Sequence, residues 1–467
     1  MGAKVRAFSL AEREPYLVAI VAVFVLALVR QAPYELVQDT WLTLVSGREI
    51  VQHGLPTHET LTAFADGSRW IDQQWLAQLI FYGMFVLGGL KAVVVLHVLA
   101  VSSAFALAVA VARRAGASMR AVFWIAALTM LLAPWGWQVR SQSLAYLPFV
   151  GVLTLLVRGS RTPSRRTLLA LPLLALWANL HGSVVVGIVL TMLCGASLVL
   201  RRDVRGIPLL IAAPFCALVS PYGLSLIGYY RHMLVGPLFA KMIGEWQPPT
   251  IVNAAPFFVA ALAALALLVA ARRAVTLFEV LAVVVTIVGG CLAIRSVIWF
   301  AFAAVVILPR VLDEVWPACE TVPGVPVRWL ARIGAAATPI VLATLVLVPT
   351  SWLERDWPNH AAVTVAASSD RVIASERYAD WLLWKVPQLR GRLAYDVRFE
   401  VNSDSQLREI YAFRNKTGPR WARAAEGYPV VVLDGDSDRS IRRSLVTLGW
   451  SRVLADTSNV TVLQRPA

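Results

Sequence analysis

The sequence predicts a mainly α-helical protein: a polytopic bundle of about eleven transmembrane helices followed by a small α/β domain outside the cytoplasm. First, 58% of the residues are hydrophobic and 15% are charged, whereas soluble proteins average about 25% charged residues. Second, apolar runs approaching the roughly 20 residues that cross a bilayer core recur from Leu17 almost to Pro349. Third, such runs stop after Pro349, where the residues become polar and mixed.

The distribution of charge predicts the orientation of the helices. The net charge is +15, and most of it lies in short connections within the first 350 residues. Short loops rich in Lys and Arg are typical of cytoplasmic connections, so the basic character indicates membrane topology, and nucleic acid is not expected as a partner. The basic connections are Arg113-Arg114, Arg158 to Arg166, Arg201 to Arg205, Arg272-Arg273 and Arg328 to Arg332.

The first span, about Leu17 to Val29, is expected to lead from a cytoplasmic amino terminus, carrying Lys4, Arg6 and Arg13, to an acidic external loop, residues 31–72. Trp75 to Leu87 is predicted to lie in the outer interface and Leu90 to Ala112 to cross; if the Trp75 segment spans, the count becomes about twelve. Further spans are expected near Val122–Leu132, Leu144–Val157, Leu168–Leu180, Val184–Leu200, Ile207–Val219, Pro256–Ala270, Val275–Cys291, Val297–Leu308 and Ile333–Val348.

The predicted domains are a transmembrane module, residues 1–350 including the external loop, and an extracytoplasmic α/β domain, residues 351–467. In the second, the segments 392–397, 429–433 and 459–463 are predicted strands, and 378–385 and 439–448 are predicted helices. The four cysteines are scattered and predict neither a disulfide framework nor a metal site. The expected location is the cytoplasmic membrane, with the carboxyl-terminal domain outside.

Polar residues at the outer ends of the predicted spans are candidate site residues, because ionisable groups at membrane depth are costly. The set is Asp39, Arg140, Asn179, His181, Glu245 and Arg295, with Asp72, Gln74, Trp75 and Tyr222 as further candidates. Each has a structural alternative. The arginines could snorkel to headgroups, His181 could be a satisfied helix-end residue, Asn179 could join helices by a hydrogen bond, and Asp39 could cap a helix.

Taken together, these residue types suit transfer of a sugar from a lipid phosphate. Arg140 and Arg295 would hold the phosphate, because a guanidinium is always charged and matches phosphate oxygens. Asp39 would act as general base, because the acceptor hydroxyl or amine must lose a proton as it attacks. No nucleotide-binding fingerprint of the GxGxxG or GxxxxGK[ST] type occurs in a strand-to-helix setting.

At these residues the sequence resembles the GT-C superfamily of polytopic glycosyltransferases, which includes protein O-mannosyltransferases, lipid A aminoarabinose transferases and catalytic subunits of oligosaccharyltransferases. The resemblance begins at Asp39-Thr-Trp-Leu with Gly47 and continues through His53-Gly-Leu-Pro, Trp70 and Gln74-Trp75-Leu-Ala-Gln to Gly88-Gly89. Members place the catalytic acid in the first external loop, followed by interfacial helices, and Asp39 takes that position.

A bacterial branch with an external carboxyl-terminal domain is the nearer resemblance. Its pattern is matched by Trp177 to Gly182, Ser220 to Gly223, Glu245 to Pro249 and Arg295, and also by Tyr378 to Pro387 and Tyr395 to Arg398. Two positions depart from the pattern: Gln74 stands where many relatives have an acid, and Arg140-Ser-Gln replaces Arg-Pro-Gln. Both departures bear on donor identity and on metal dependence.

The predicted function is a membrane glycosyltransferase of the inverting type. It is expected to move a sugar from a polyprenyl-phosphate donor to a glycan, lipid or protein of the cell envelope. No cofactor and no metal site are predicted, and a divalent cation is left open. Two alternatives remain at this point. One is a transporter or flippase of a lipid-linked saccharide, and the other is a non-catalytic scaffold with the same fold.

Overall fold

The computed structural model describes residues 14–132, 134–235, 238–317, 325–450, 452–456 and 459–465. Lys4, Arg6 and Arg13 of the amino terminus and one of the four cysteines, Cys319, lie outside these ranges. The protein is 70% helical with one small sheet. The chain divides into two compact units: the first is Met1–Ala32, Lys91–Leu224 and Glu245–Val348, and the second is Pro33–Leu90, Ser225–Gly244 and Pro349–Ala467.

The first unit is built from apolar helices. Their bounds are Pro15–Gln31, the part of Trp75–Arg114 after Leu90, Met119–Leu132, Tyr146–Arg161, Ala170–Leu180, Val184–Leu200, Gly206–Cys216, Ile251–Ala270, Leu277–Leu292, Val297–Val315 and Val325–Leu347. Four segments among the described residues are long and apolar enough to cross a membrane: Trp75–Arg114, Ser141–Arg161, Gly244–Ala270 and Ile294–Val315. Each of the nine spans predicted after Arg114 falls on a helix of this set, while the count of about eleven crossings stays a prediction.

The helix Trp75–Arg114 is interrupted where the sequence analysis divided it. Gly88 has φ −156° and Gly89 has φ +65°, and the latter is a left-handed conformation that glycine adopts without a steric penalty. Two helical segments therefore meet at this pair, as predicted. The placement of Trp75 to Leu87 in the membrane interface stays a prediction.

Small residues allow two helices of the first unit to approach closely. A Cβ at Gly206 would lie 2.3 Å from the carbonyl oxygen of Gly195, and one at Gly195 would lie 2.8 Å from that of Gly206. Close backbone approach at paired small residues is a general means of helix association in membranes. The helices Val184–Leu200 and Gly206–Cys216 are packed in this way.

The second unit contains a four-stranded sheet in the order β1-β2-β4-β3. Its strands are β1 (Val372–Ala374), β2 (Val430–Asp434), β3 (Arg452–Asp456) and β4 (Val460–Gln464); β1 pairs with β2 in parallel, and the other two pairings are antiparallel. The helices of the unit are Gln38–His53, the part of Trp75–Arg114 before Lys91, Ser225–Leu234, Thr350–Leu353, Asn359–Ala366, Glu376–Lys385, Asp404–Asn415 and Arg439–Thr447.

Most elements expected after residue 351 are present, with one correction. The strands at 430–434 and 460–464 and the helices at 376–385 and 439–447 are confirmed. The predicted strand at 392–397 is wrong: only Leu393 forms isolated bridges, to Thr62 and Val372. The chain leaves the extended path because Asp396 accepts a hydrogen bond from the backbone N–H of Arg398 at 2.9 Å.

The acidic segment after Gln31 forms part of the second unit, together with residues that follow Pro349. Arg48 donates hydrogen bonds to the backbone carbonyls of Leu383 and Trp384 at 2.8 and 3.1 Å. The backbone N–H of Gly391 donates to the carbonyl of Leu61 at 2.9 Å. These contacts join segments more than 300 residues apart in sequence into one compact body; the division at residue 350 remains a prediction about domains.

Candidate functional site

Arg140 and Glu245 form a close ion pair in the first unit. Nη1 of Arg140 lies 2.5 Å from Oε2 of Glu245, and the Arg140 side chain is 3% exposed. Arg140 precedes the turn Ser141–Ala145, whose Ser143 N–H donates to the Arg140 carbonyl at 2.9 Å. A buried guanidinium needs a nearby anion, because desolvating an unpaired charge is costly. Glu245 therefore supplies the charge that allows Arg140 to be buried.

Arg295 lies close to the same glutamate. Its guanidinium carbon stands 4.9 Å from the centroid of the Trp246 ring, a cation–π distance. The N–H of Ile294 donates to the carbonyl of Gln247 at 3.0 Å, so the turn carrying Arg295 is fastened to the segment carrying Glu245. Both guanidinium groups are within electrostatic reach of the Glu245 carboxylate.

His181 completes this group at the end of the helix Ala170–Leu180, where it is the residue after the last helical position. The backbone N–H of Ser183 donates to Nδ1 of His181 at 3.1 Å, so the neutral ring carries its proton on Nε2. The positive charges of Arg295 and Arg140 both act on His181. The structural alternative was a helix-end histidine held by local hydrogen bonds. The bond from Ser183 is of this kind and uses Nδ1, whereas the N–H at Nε2 can still donate to a ligand.

Asn179 and Tyr222 lie in the same unit with different surroundings. The amide nitrogen of Asn179 donates to the carbonyls of Ala175 and Val219, at 2.8 and 2.7 Å. The second bond joins the helix Ala170–Leu180 to Val219, which follows the helix Gly206–Cys216. Asn179 therefore joins helices by a hydrogen bond, as its structural alternative expected. Tyr222 lies in a turn closed by the bond from the Gly223 N–H to the Ser220 carbonyl at 3.0 Å.

The structure thus brings together four of the predicted site residues: Arg140, His181, Glu245 and Arg295. Two guanidiniums and one carboxylate leave one net positive charge. A planar guanidinium that already stands in a fixed orientation is suited to phosphate oxygens, because the side-chain entropy has been lost before binding. Chemically, this group can hold an anion and place a neutral imidazole N–H beside it.

Asp39 belongs to the second unit. It is the second residue of the helix Gln38–His53, and Val37 occupies the N-cap, so the alternative that Asp39 caps this helix is wrong. A carboxylate in the first turn is favoured by the helix dipole. Its negative charge adds to burial in raising the pKa of Asp380 well above its usual value, and it also helps to raise the pKa of Glu400 to about 7.

A buried charge network lies in the same unit. The guanidinium of Arg398 contacts Glu59 at 2.7 Å and Asp396 at 2.5 Å, and all three side chains are almost fully buried. Asp380 accepts a hydrogen bond from the Val397 N–H at 3.2 Å. Burial and then the charge of Asp396 are the main causes of the raised pKa of Asp380. More carboxyl groups than cations share this region, so some of them hold protons near neutral pH.

Asp72, Gln74 and Trp75 stand at the entry to the next helix. Asp72 is 1% exposed and accepts a hydrogen bond from Nε2 of Gln78 at 2.9 Å. Burial raises the pKa of Asp72 to about 7, and Arg398 opposes this shift. The Trp75 N–H donates to the Asp72 carbonyl at 3.2 Å. Gln74 is half-buried and supplies a helical carbonyl to Gln78.

Arg398 and Asp380, charged groups in the buried network of the second unit, were not predicted as site residues. Both lie in segments singled out for their resemblance, Tyr378 to Pro387 and Tyr395 to Arg398. Asp396 and Arg398 at alternate positions in an otherwise apolar segment were the available signal, because charges are almost never buried unless paired. Within the ranges that the structure describes, no group of three or more His, Cys, Asp or Glu side chains is arranged to hold a metal ion.

No protein-family model matches the sequence, and no curated protein matches it. Solved structures do. The archaeal oligosaccharyltransferase AglB from Archaeoglobus fulgidus, in complex with an inhibitory peptide and a dolichol-phosphate, matches with TM-score 0.52 and 12% identity over 92% of this chain and 70% of that chain. ArnT from Cupriavidus metallidurans, bound to undecaprenyl phosphate, matches with TM-score 0.52 and 13% identity over 96% of this chain and 98% of that chain.

At these identities the likeness concerns the fold. AglB and ArnT are both membrane glycosyltransferases of the GT-C superfamily. The four long apolar helices found among the described residues of this chain agree with a membrane location. The protein is a membrane protein with the GT-C fold.

Proposed function

We propose that the protein is a glycosyltransferase that takes a sugar from a polyprenyl-phosphate donor and transfers it to an acceptor of the cell envelope. The observation that carries the proposal is the group formed by Arg140, Glu245, Arg295 and His181 in a protein with the GT-C fold. Its net positive charge, its two positioned guanidiniums and the imidazole N–H of His181 suit the phosphate of such a donor.

In the proposed reaction, an acceptor hydroxyl oxygen attacks the anomeric carbon of the donor sugar and forms the new glycosidic bond. The bond between that carbon and the phosphate oxygen breaks, and its electron pair leaves with the polyprenyl phosphate. Arg140 and Arg295 stabilise the charge that grows on the phosphate. The acceptor proton passes to Asp39, the general base. Direct displacement of this kind inverts the anomeric configuration.

Glu245 is proposed as the residue that positions the two arginines, and His181 as a neutral hydrogen-bond donor to the phosphate. The donor site is proposed to open on the outer side of a bacterial cytoplasmic membrane crossed about eleven times, with residues 351–467 outside. Asp72, Gln74, Trp75 and Tyr222 are proposed to support substrate binding. Asn179 is proposed to act near the phosphate while its amide fastens the helix end. No cofactor is proposed, and a divalent cation could accompany the donor phosphate.

The test uses purified full-length protein in lipid nanodiscs with a panel of radiolabelled polyprenyl-phosphate monosaccharides. The acceptor is delipidated cell envelope from a strain lacking the gene. Transfer is measured as label that moves from the organic-extractable lipid into the envelope fraction. Asp39→Asn should slow transfer about 10²- to 10⁴-fold, the usual contribution of a general base, while donor binding stays unchanged.

Matched controls separate the assigned roles from general damage. Asp66 is an exposed acid of the same loop, and Asp66→Asn should transfer at the wild-type rate. Arg295→Gln should weaken donor binding, whereas Arg273→Gln, at an exposed arginine of the same unit, should not. Full activity in Asp39→Asn would remove the base from the proposal. Movement of lipid-linked sugar across liposomes without transfer would establish the flippase alternative, and neither activity with any donor would favour a scaffold.

A further inference from the structure

The second unit contains a cavity of about 780 Å³ whose lining residues all belong to that unit. Cavities that bind small molecules and oligomer segments measure about 300–1,000 Å³. Gln38 lies in the wall of this cavity, and Asp39 is the next residue, about 3.8 Å away from Cα to Cα across a trans peptide. The cavity therefore begins at the helix turn that carries the proposed general base.

Aromatic side chains form much of the cavity wall. They are Tyr34, Trp357, Tyr395, Tyr411 and Phe413. Tyr34 and Tyr411 remain 61% and 45% exposed. The guanidinium of Arg355 lies over one face of Tyr34, 4.0 Å from the ring centroid, so a ligand would contact the opposite face of that ring. Flat aromatic faces with a polar tip suit a ligand that has apolar C–H faces and many hydroxyl groups.

The cavity wall carries equal numbers of basic and acidic side chains. Lys241, Arg377 and Arg414 are matched by Asp356, Glu376 and Asp438. Arg414 is fixed by Glu376 at 2.5 Å and donates to the Met242 carbonyl at 3.2 Å, and Arg377 contacts Asp434 at 3.3 Å. The balanced wall contrasts with the positive group of the first unit and does not favour a polyanion.

Two buried donors in this wall have no hydrogen-bond partner among the residues that the structure describes. They are the hydroxyl of Tyr395 and the indole Nε1 of Trp357, in side chains that are 1% and 5% exposed. The charges of Arg414, Asp438 and Glu376, all in the cavity wall, act on the Tyr395 hydroxyl. A buried donor without an acceptor is costly to the fold, so such a pair in one cavity points to a hydroxyl-rich ligand that supplies the acceptors.

We propose that this cavity binds a neutral glycan segment, the saccharide acceptor of the transfer reaction. That the bound glycan is the acceptor rests on the proposed glycosyltransferase function. That the cavity binds a glycan rests on the lining of the cavity alone. Sugar hydroxyls would accept from Trp357 and Tyr395 and donate to the carboxylates of Glu376 and Asp438. The exposed rings of Tyr34 and Tyr411 would pack against the C–H faces of the sugars.

Of the sources that could supply hydroxyl groups, a neutral glycan fits better than a peptide or a phosphate-bearing lipid. A peptide strand gains most of its affinity from main-chain bonds to a free sheet edge, and the lining is made of side chains from helices and loops as well as from the end of β2. A phosphate would require an excess of cations in the wall, which the balanced charges do not provide.

The test measures binding to the full-length protein in nanodiscs by saturation-transfer difference NMR. The probes are oligosaccharides released from the envelope of the source organism, separated into neutral and anionic fractions, together with a tryptic digest of its envelope proteins. Signals from the neutral fraction are expected. Tyr395→Phe removes only a hydroxyl without a protein partner, so it should fold normally and weaken binding of the neutral fraction about 3- to 10-fold, the worth of one hydrogen bond.

Tyr230→Phe is the matched control, because its buried hydroxyl also lacks a partner within the described residues and Tyr230 is not part of the cavity wall; it should bind as wild type does. Tyr411→Ser, at an exposed ring, is a second probe and should also weaken binding. Binding only of the anionic fraction, only of peptides, or of no fraction overturns the proposal, as does equal binding by Tyr395→Phe and wild type. Neutral-glycan binding without sugar transfer would leave the cavity assignment standing and overturn the proposed function instead.

Discussion

Arg398 lies 2.7 Å from Glu59, and the two side chains are 4% and 1% exposed although 339 residues separate them in sequence. Glu59 also accepts hydrogen bonds from the backbone N–H groups of Leu61 and Thr62 at 2.7 and 2.8 Å. The pair therefore orders the loop around Glu59 and fixes it to the turn that follows Asp396. The pair stabilises the contact between these two segments of the second unit, because burying either charge without the other would be costly.

Arg398→Met should destabilise the protein severely. Removing one partner of a buried pair leaves the other charge uncompensated and costs about 3–5 kcal/mol; here both Glu59 and Asp396 lose their cation. The expected result is a clear fall in the thermal unfolding midpoint in detergent. Arg423→Met is the control, because Arg423 and its partner Glu409 form an exposed pair at 3.5 Å and exposed pairs contribute about 0–1 kcal/mol. Equal midpoints for the two variants would contradict the role given to Arg398.

Asp72 should make stability depend on pH. Its pKa is about 7 in the fold and about 3.9 in the unfolded chain, so between these values the folded state binds more protons. Stability therefore falls as pH rises from about 4 to about 7 and changes little above that range. Asp72→Asn cannot ionise and keeps a side-chain oxygen that can accept from Gln78.

The measurement is the unfolding midpoint of wild type and Asp72→Asn from pH 5 to pH 8. The variant should lose part of the downward slope and exceed wild type in stability at pH 8. Asp66→Asn, at an exposed acid of the same segment, should keep the wild-type slope. A variant that is less stable than wild type at pH 8 would show that the ionised Asp72 carboxylate stabilises the fold.

The helical part of the fold could be predicted from the sequence because apolar length is a local signal. Val184–Leu200 was predicted with the bounds that the structure has, and the Gly88-Gly89 interruption was visible as a pair of glycines. The strand β1 was missed because it has only three residues, too few for a period-2 pattern. The segment 392–397 was predicted as a strand because the side-chain bonds of Asp396 cannot be read from hydrophobicity.

Individual residues of the candidate site could be predicted from the sequence, but the contacts between them could not. Arg140, Glu245 and Arg295 were each selected because charges at membrane depth are rare. Their grouping depends on the bond between Ile294 and Gln247, a long-range contact that no local pattern encodes. The cavity beside Gln38 was not predicted, because its wall is assembled from segments that begin at Tyr34 and end at Ile441.

Arg295→Lys should separate the charge of Arg295 from the shape of its guanidinium. Lysine keeps the positive charge but lacks the planar fork that matches phosphate oxygens and packs over Trp246. Under the proposed function, the KM for the polyprenyl-phosphate donor should rise about 5- to 30-fold, about 1–2 kcal/mol of lost interaction, with an unchanged unfolding midpoint. Arg273→Lys should leave the KM unchanged. An unaltered KM in Arg295→Lys would mean that only the charge of Arg295 matters.

Gly47 should not tolerate a side chain, because the helix Gln38–His53 approaches the helix that begins at Trp75 at this point. A Cβ at Gly47 would lie 2.4 Å from the carbonyl oxygen of Gln78 and 2.5 Å from the Cβ of Tyr82. Both atoms belong to the second helix and can move only if the two helices separate. Gly47→Ala should therefore lower stability by about 1–3 kcal/mol, the usual cost of overpacking, although alanine favours a helix over glycine.

Gly83→Ala is the matched control for this contact. Gly83 lies in the same neighbouring helix, and a Cβ there would meet no described atom within 4 Å. Its expected effect is a neutral or slightly raised unfolding midpoint, since alanine loses less backbone entropy on folding. A Gly47→Ala variant as stable as Gly83→Ala would show that the helices are not held at the observed distance. The glycine at position 47 would then have no packing role, and its place in the motif that begins at Asp39 would need another explanation.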